Sequence, residues 1–426
     1  MPYLPAVAVR VPGTVVHATL GPMETTDVLT VELFVILVLV ATVVAVVAKR
    51  IALPYTVALV LAGLGIAVFA QRDRVEVTPE LILAVLIPGL VFEAAYKLDV
   101  TELRRGFGIV AVLAAPGVLI TAAIVAVVVS AATGMDPGLA FLLGAIVSAT
   151  DPVAVVALFK RVGAPPRLAT LVDAESLFND GTGVVLFAIA LTALEQPVTA
   201  IDGLVSFVLT VAVSTVIGLV AGYVAFRAMR ATDDPQLEVA ISVVAAYGTY
   251  LVADRLHESG IIATVVVGLV LGLRPGIGDL SEQSRAALDT VWEFVAFLLT
   301  ALTFLLVGFA ISIELLIDAL PVIVAGFVAI TIARALVVFG LIGGGSRLLP
   351  PSRRLPTGYL PVMFWAGLRG AIAVALALAL PPTLAQRDLL TGAVYGIVLV
   401  TLVVQGTTAG WVVRRSGVLV EPTPEP

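Results

Sequence analysis

The chain has 426 residues, 60% of them hydrophobic and only 13% charged, with a net charge of −6. A soluble domain carries about 25% charged residues, so this composition excludes one. Having no Cys excludes disulfides, thiolate metal sites and a cysteine nucleophile, and two His (His17 and His257) are too few for a His-rich metal centre. Windows of about 20 apolar residues, enough to cross a bilayer, recur along the chain. The valine-rich runs are apolar all round and do not alternate as barrel strands do. The predicted class is an all-α polytopic membrane protein of about thirteen transmembrane helices.

Residues 1–26 lack the basic start and small-residue cleavage site of a signal peptide and are expected to form a disordered external leader, with Met23 as an alternative start. Residues 27–131 hold spans one to four (27–48, 51–70, 79–97 and 107–131). Glu93, in the third, lies one turn before Lys97, where a local ion pair is the simplest reading. Glu293, in span ten, is read as lying near a helix start, where the dipole favours an acid.

The fifth span, 137–160, contains Ser148-Ala149-Thr150-Asp151-Pro152. Pro breaks a helix interior but suits the first turn of a new helix, with Thr or Asp capping it. A helix that stops near 149 and restarts near 152 is expected. The alternative is a simple kink with Asp151 as its cap. Span six, 166–194, carries Asp173, Glu175, Ser176, Asn179, Asp180 and Thr182. Ser176 and Asp180 share one helical face, and Glu175 and Asn179 share a neighbouring stripe. A carboxylate at mid-bilayer costs about 2.5–3.5 kcal/mol, so a chain that keeps Asp151 and Asp180 uses them, for a cation, a proton or both.

Span seven (203–229) links the halves, spans eight to ten follow (236–254, 259–273 and 289–312), and spans eleven to thirteen occupy 314–344, 357–381 and 389–413. Arg334 in span eleven is read as near a cytoplasmic end or neutralising a helix C-terminus. In span twelve Gly367-Leu368-Arg369-Gly370 marks a second helix break. Arg369 needs an anion there, and Glu175 is the preferred partner because that pairing leaves Asp151 and Asp180 free. Residues 414–426 are expected as a short cytoplasmic tail. Most basic residues fall in alternate loops, among them Lys49, Arg50, Lys97, Arg104 and Arg105, against Arg10, Arg72, Arg74, Arg255 and Arg387 on the other side. The positive-inside rule then puts the N-terminus outside and the C-terminus in the cytoplasm. Spans one to six and eight to thirteen would form two inverted repeats, with the two breaks in matching places.

The block SATDPVAVVALFKRVGAPPRLATLVDAESLFNDGTGVVLF (148–187), followed by FWAGLRGAIAVALAL (364–378) and the pattern from Leu90 to Tyr96, resembles the NhaP-like sodium/proton antiporters of the cation–proton antiporter superfamily. The resemblance implies a plasma-membrane homodimer. Spans one to three and eight to ten would form a dimerisation scaffold, and spans four to six and eleven to thirteen a mobile core in which spans five and twelve cross. It implies cation and proton binding by Asp151 and Asp180, with Thr150 and Ser176 as oxygen donors, Asn179 in support, and a Glu175–Arg369 core ion pair. Asn179 in place of an acid matches the electroneutral branch. Na⁺ (or Li⁺) exchange for H⁺ by alternating access, serving pH and sodium homeostasis, is the expected activity. No organic cofactor and no nucleic-acid partner are expected. The alternatives are K⁺/H⁺ exchange and a Na⁺-coupled organic-anion symporter that uses Arg369. An intramembrane aspartyl protease is disfavoured, because its GxGD pattern, Gly276 to Asp279, falls in a charged loop.

Overall fold

A computed structural model describes residues 7–11, 14–18, 25–51, 53–69, 78–151, 153, 155–156, 159, 163–232, 234–273, 281–348 and 354–418, with side chains from Val35 onward. The helices are α1 (Thr25–Ile51), α2 (Tyr55–Phe69), α3 (Ile87–Lys97), α4 (Val100–Thr133), α5 (Pro137–Ile146), α6 (Pro166–Glu195) and α7 (Ala200–Met229). They continue as α8 (Pro235–Arg255), α9 (Gly260–Gly272), α10 (Glu282–Ala310), α11 (Leu320–Arg347), α12 (Tyr359–Trp365), α13 (Ala371–Leu378) and α14 (Arg387–Arg415). Among the described residues seven helices (α4, α6, α7, α8, α10, α11 and α14) are long and apolar enough to cross a membrane, and α2, α5 and α9 are shorter apolar helices. α7 turns Leu204, Val208, Leu209, Val216 and Val220 outward, an apolar surface that only lipid or another apolar surface can cover. The leader differs from the expectation: Val7–Val11 and Thr14–Ala18 pair as an antiparallel hairpin, Val9 opposite Val16, where β-branched residues favour strands.

Local chemistry sets the boundaries. α4 begins well before its apolar window because Asp99 caps it, accepting from the N–H groups of Thr101 (2.8 Å) and Glu102 (3.1 Å). Those first turns carry Glu102, Arg104 and Arg105, which hydropathy alone passes over. α10 likewise starts at Glu282 under a Ser281 cap. Glu293 is therefore about three turns inside its helix rather than at a start; it is exposed and reaches Lys97 at 3.8 Å.

Two sets of helices emerge from the packing. α2 lies against α10, α3 and α7 against α9, and α8 against both α9 and α10. Separately, the second half of α4 packs on α5 and α11, α6 on α5 and the first half of α4, and α14 on α11 and α13. Four π-helical turns interrupt the described helices: Leu81–Leu86 just before α3, Leu113–Gly117 in α4, Leu336–Gly343 in α11 and Thr401–Gln405 in α14. The second contains Pro116, which has no N–H to give to the preceding turn.

Candidate ion site at the crossed helix breaks

α5 ends at Ile146, earlier than expected, because Val147 N–H caps Leu143 O (3.0 Å) and the Ser148 hydroxyl folds back on Ala145 O (2.7 Å). Residues 149–151 are not helical, and the chain is helical again at Val153, Val155, Val156 and Phe159. Asp151 caps this restart, accepting from Val153 N–H at 2.9 Å. Pro152, the expected breaker, lies outside the described residues. The second break runs from Ala366 to Gly370, between α12 and α13.

The two breaks cross and hold each other. Asp151 N–H donates to Leu368 O at 2.8 Å. The Arg369 guanidinium donates to Ser148 O (3.2 Å) and Ala149 O (3.5 Å), and Arg369 N–H donates to the Thr401 hydroxyl (3.2 Å) in the π turn of α14. Carbonyl oxygens freed by one break are thus met by donors from the other, which is how a membrane interior tolerates unwound backbone. Gly370 is obligatory here: a Cβ at that position would overlap the Asp151 carboxylate.

One expected contact is corrected. The partner of Glu175 is Arg334, not Arg369. Arg334 binds both Glu175 oxygens, with the Nη2–Oε2 hydrogen bond at 3.0 Å, and Glu175 is 1% exposed. Arg334 also donates to Met363 O from Nε (3.1 Å) and Nη2 (2.6 Å), in the last turn of α12. A guanidinium's forked donors can serve a carboxylate and a helix C-terminus together. Arg369 instead stands among backbone carbonyls, 3% exposed, with a buried Nε that has no hydrogen-bond partner among the described residues.

A cavity of about 390 Å³ runs from Glu93, Lys97 and Leu98 down to Thr150, Asp151, Asp180 and Gly370, past Asp173 and Leu177. Thr300, Thr303 and Phe304 of α10 form the opposite wall. Asp151 and Asp180 line the same end of this cavity. Among the described residues no hydrogen bond holds the Asp180 carboxylate. Glu93 meets Lys97 at 2.9 Å, at the mouth of the cavity.

Thr150 reaches the cavity, but Ser176 and Asn179, 2% and 3% exposed, stand behind it. The Thr150 and Ser176 hydroxyls are 3.0 Å apart. With its amide oriented to satisfy both ends, Asn179 accepts from the Thr150 hydroxyl and donates to Glu175 O and Leu113 O, each at 3.3 Å. Thr182 donates to Ala114 O at 2.6 Å. Two carbonyls of the α4 π turn are therefore held by α6. Sequence reasoning missed this role of Leu113 and Ala114, though Pro116 was a visible signal for it. It also missed Thr401, one of several threonines in an apolar span. Among the described residues no cluster of three or more His, Asp or Glu could hold a resident metal. The oxygens at the cavity floor suit a hard monovalent cation as cargo.

A family model described as "Sodium/hydrogen exchanger, transmembrane" matches residues 35–415. The "Low-affinity Na(+)/H(+) antiporter NhaS1" of Synechocystis is 37% identical over 341 residues, covering 79% of this chain and 64% of that protein. The chain thus spans less than two thirds of that relative's length. The "Na(+)/H(+) antiporter NhaP" of Pseudomonas aeruginosa is 36% identical over 362 residues, covering 79% of this chain and 81% of that protein. The solved sodium proton antiporter MjNhaP1 of Methanocaldococcus jannaschii superposes with a TM-score of 0.74 at 20% identity, covering 94% of this chain and all of that one, which establishes a shared fold.

Proposed function

The chain belongs to the transmembrane sodium/hydrogen exchanger family, and from that premise we propose that it is a secondary transporter exchanging Na⁺ or Li⁺ for H⁺ by alternating access. The observation that carries this reading is the cavity ending on Asp151 and Asp180 while both buried arginines are engaged elsewhere. The two carboxylates hold excess negative charge in a poorly solvated site. A proton or a Na⁺ relieves it, and each excludes the other from the same oxygens. Thr150 and the backbone at the crossing add neutral oxygens, while Ser176 and Asn179 fix Thr150. The loaded core carries either cargo across, and the empty, doubly charged core does not cross.

Exchange is one for one and electroneutral in this proposal. The helix set containing α4, α5, α6, α11, α13 and α14 moves against the set containing α2, α3, α8, α9 and α10, with α7 between them. The protein acts as a homodimer in the plasma membrane, N-terminus outside and C-terminus inside, and the cavity at Lys97 faces the cytoplasm.

K⁺/H⁺ exchange uses the same oxygens and remains the second reading. The organic-anion symporter loses its main support, because Arg369 donates to Ser148 and Ala149 and does not line the cavity. The test is collapse of an imposed pH gradient in proteoliposomes on adding Na⁺, Li⁺ or K⁺ alone. A Na⁺ or Li⁺ response that Asp180→Asn abolishes supports the proposal. A normal Na⁺ response in Asp180→Asn, or one that needs an organic solute, overturns it.

A further inference from the structure

We infer that a second cavity, on the opposite face from Lys97, is the other half of the ion path, and that Ile262 packed on Gly181 is the barrier closing it in this structure. The inference rests on the exchange reading above. Its argument starts from one stripe of α6. Asp173, Leu177 and Asp180 line the cavity already described. Continuing the stripe at helical spacing, Val184, Ala188 and Thr192 line another cavity of about 390 Å³. Its remaining wall includes Asp202 and Ser206 at the start of α7, and Glu258 and Ser259 in the turn between α8 and α9. The two cavities meet α6 from opposite ends. Only the turn from Asp180 to Val184 separates them, about 6 Å at 1.5 Å per residue.

Ile262 of α9 fills that turn. A Cβ added at Gly181 would stand 2.6 Å from Ile262 Cγ1, so the isoleucine lies directly on the α6 backbone. The start of α9 is anchored away from α6. Ser259 N–H donates to the Ser214 hydroxyl of α7 at 2.9 Å, and Gly260 packs so closely under Tyr250 of α8 that an added Cβ would be 2.6 Å from the ring. The two sides of the barrier therefore belong to different helix sets. Sliding α6 relative to α9 takes Gly181 off Ile262 and joins Asp180 to the second cavity. The wall chemistry suits a cation. Glu258 contributes a carboxylate whose Oε2 is buried with no hydrogen-bond partner among the described residues; Asp202, whose carboxylate accepts from the Thr199 hydroxyl, and His257 also line the wall, and no Lys or Arg does.

The absence of native Cys makes this directly testable by single cysteines in the full chain. Leu98→Cys reports the first cavity and Thr192→Cys and Ser206→Cys the second, with Val208→Cys on the outward face of α7 as a lipid-facing control. Each is exposed to a charged, membrane-impermeant methanethiosulfonate in right-side-out and inside-out vesicles, with labelling read by mass shift. Thr192→Cys and Ser206→Cys should label from one side, Leu98→Cys from the other, and Val208→Cys from neither. Leu177→Cys, on the Asp180 side of the partition, should label slowly from the Thr192 side, and severalfold faster when Ile262→Ala is added. Ile262→Val supplies the same comparison if the alanine variant does not fold. Labelling of Thr192→Cys and Ser206→Cys from the Leu98 side or from neither side overturns the inference, as does an unchanged Leu177→Cys rate. Because labelling is read without transport, loss of this inference leaves the exchange proposal standing, and loss of exchange leaves the labelling pattern intact.

Discussion

At the scale of single residues the site is a division of labour among buried charges. Glu175 and Arg334 neutralise each other, Arg369 neutralises backbone dipoles, and Asp151 and Asp180 are left facing the cavity. Breaking a buried pair by removing one partner costs about 3–5 kcal/mol, because the other charge is stranded. Glu175→Gln and Arg334→Gln should each lower the unfolding temperature in detergent markedly, and the double variant should lose less than the sum of the two. Arg369→Gln should not couple to Glu175→Gln in the same cycle; strong coupling would restore the pairing suggested by sequence. That pairing was misjudged because sequence separation carries no information on which of two arginines reaches an acid. Arg334 sits on α11, which packs on α4, and its side chain reaches Glu175, whereas Arg369 is turned into the crossing. Competition at the carboxylates has a definite sign. Lowering pH should raise the Na⁺ concentration for half-maximal transport, by about tenfold per pH unit in the acid limit, without lowering the maximal rate. Unchanged Na⁺ dependence across pH would contradict a shared site.

At the scale of elements, unwound segments and π turns do the positioning. The breaks were legible in Asp151-Pro152 and in Gly367–Gly370, and the cap by Asp151 follows from ordinary helix-start chemistry. The π turns were not legible, apart from Pro116, because a widened turn depends on tertiary donors such as Asn179, Thr182 and Arg369 N–H. Two predictions belong here. Gly370→Ala pushes the Asp151 carboxylate out of its seat, so it should weaken Na⁺ binding, measured as Na⁺-dependent thermal stabilisation, far more than an alanine at Gly108, where open space surrounds the Cα. Asn179→Asp removes the donors that serve Glu175 O and Leu113 O and adds an acid beside Glu175. It should lower stability by about 1–3 kcal/mol for each buried carbonyl stranded. A variant as stable as the parent would show that Asn179 does not hold the α4 turn.

At the scale of the whole molecule, hydropathy gave the all-helical class, because lipid demands long apolar helices, while among the described residues seven helices are long and apolar enough to span against the thirteen expected. It missed the polar ends of α4 and α10, which lie beyond that demand. Which helices pack together was not legible, since apolar surfaces match one another without sequence-specific signs. The exchange proposal makes a molecular-scale prediction: Na⁺-driven proton movement in proteoliposomes should be unaffected when the potential is clamped at zero or stepped, and a steep dependence would rule out one-for-one exchange.

The thin partition between the two cavities has an electrical consequence. On the inferred ion path both cavities fill with water, which conducts, so the transmembrane voltage would drop mainly across the single turn from Asp180 to Val184. A unit charge moved through the full drop is worth about 2.3 kcal/mol per 100 mV. Asp180 lies at the conducting edge of that layer. On the exchange proposal, a cation or proton arriving from the Lys97 side binds with almost no electrical work, and the opposite crossings of the two cargoes through the insulating turn cancel over a full cycle.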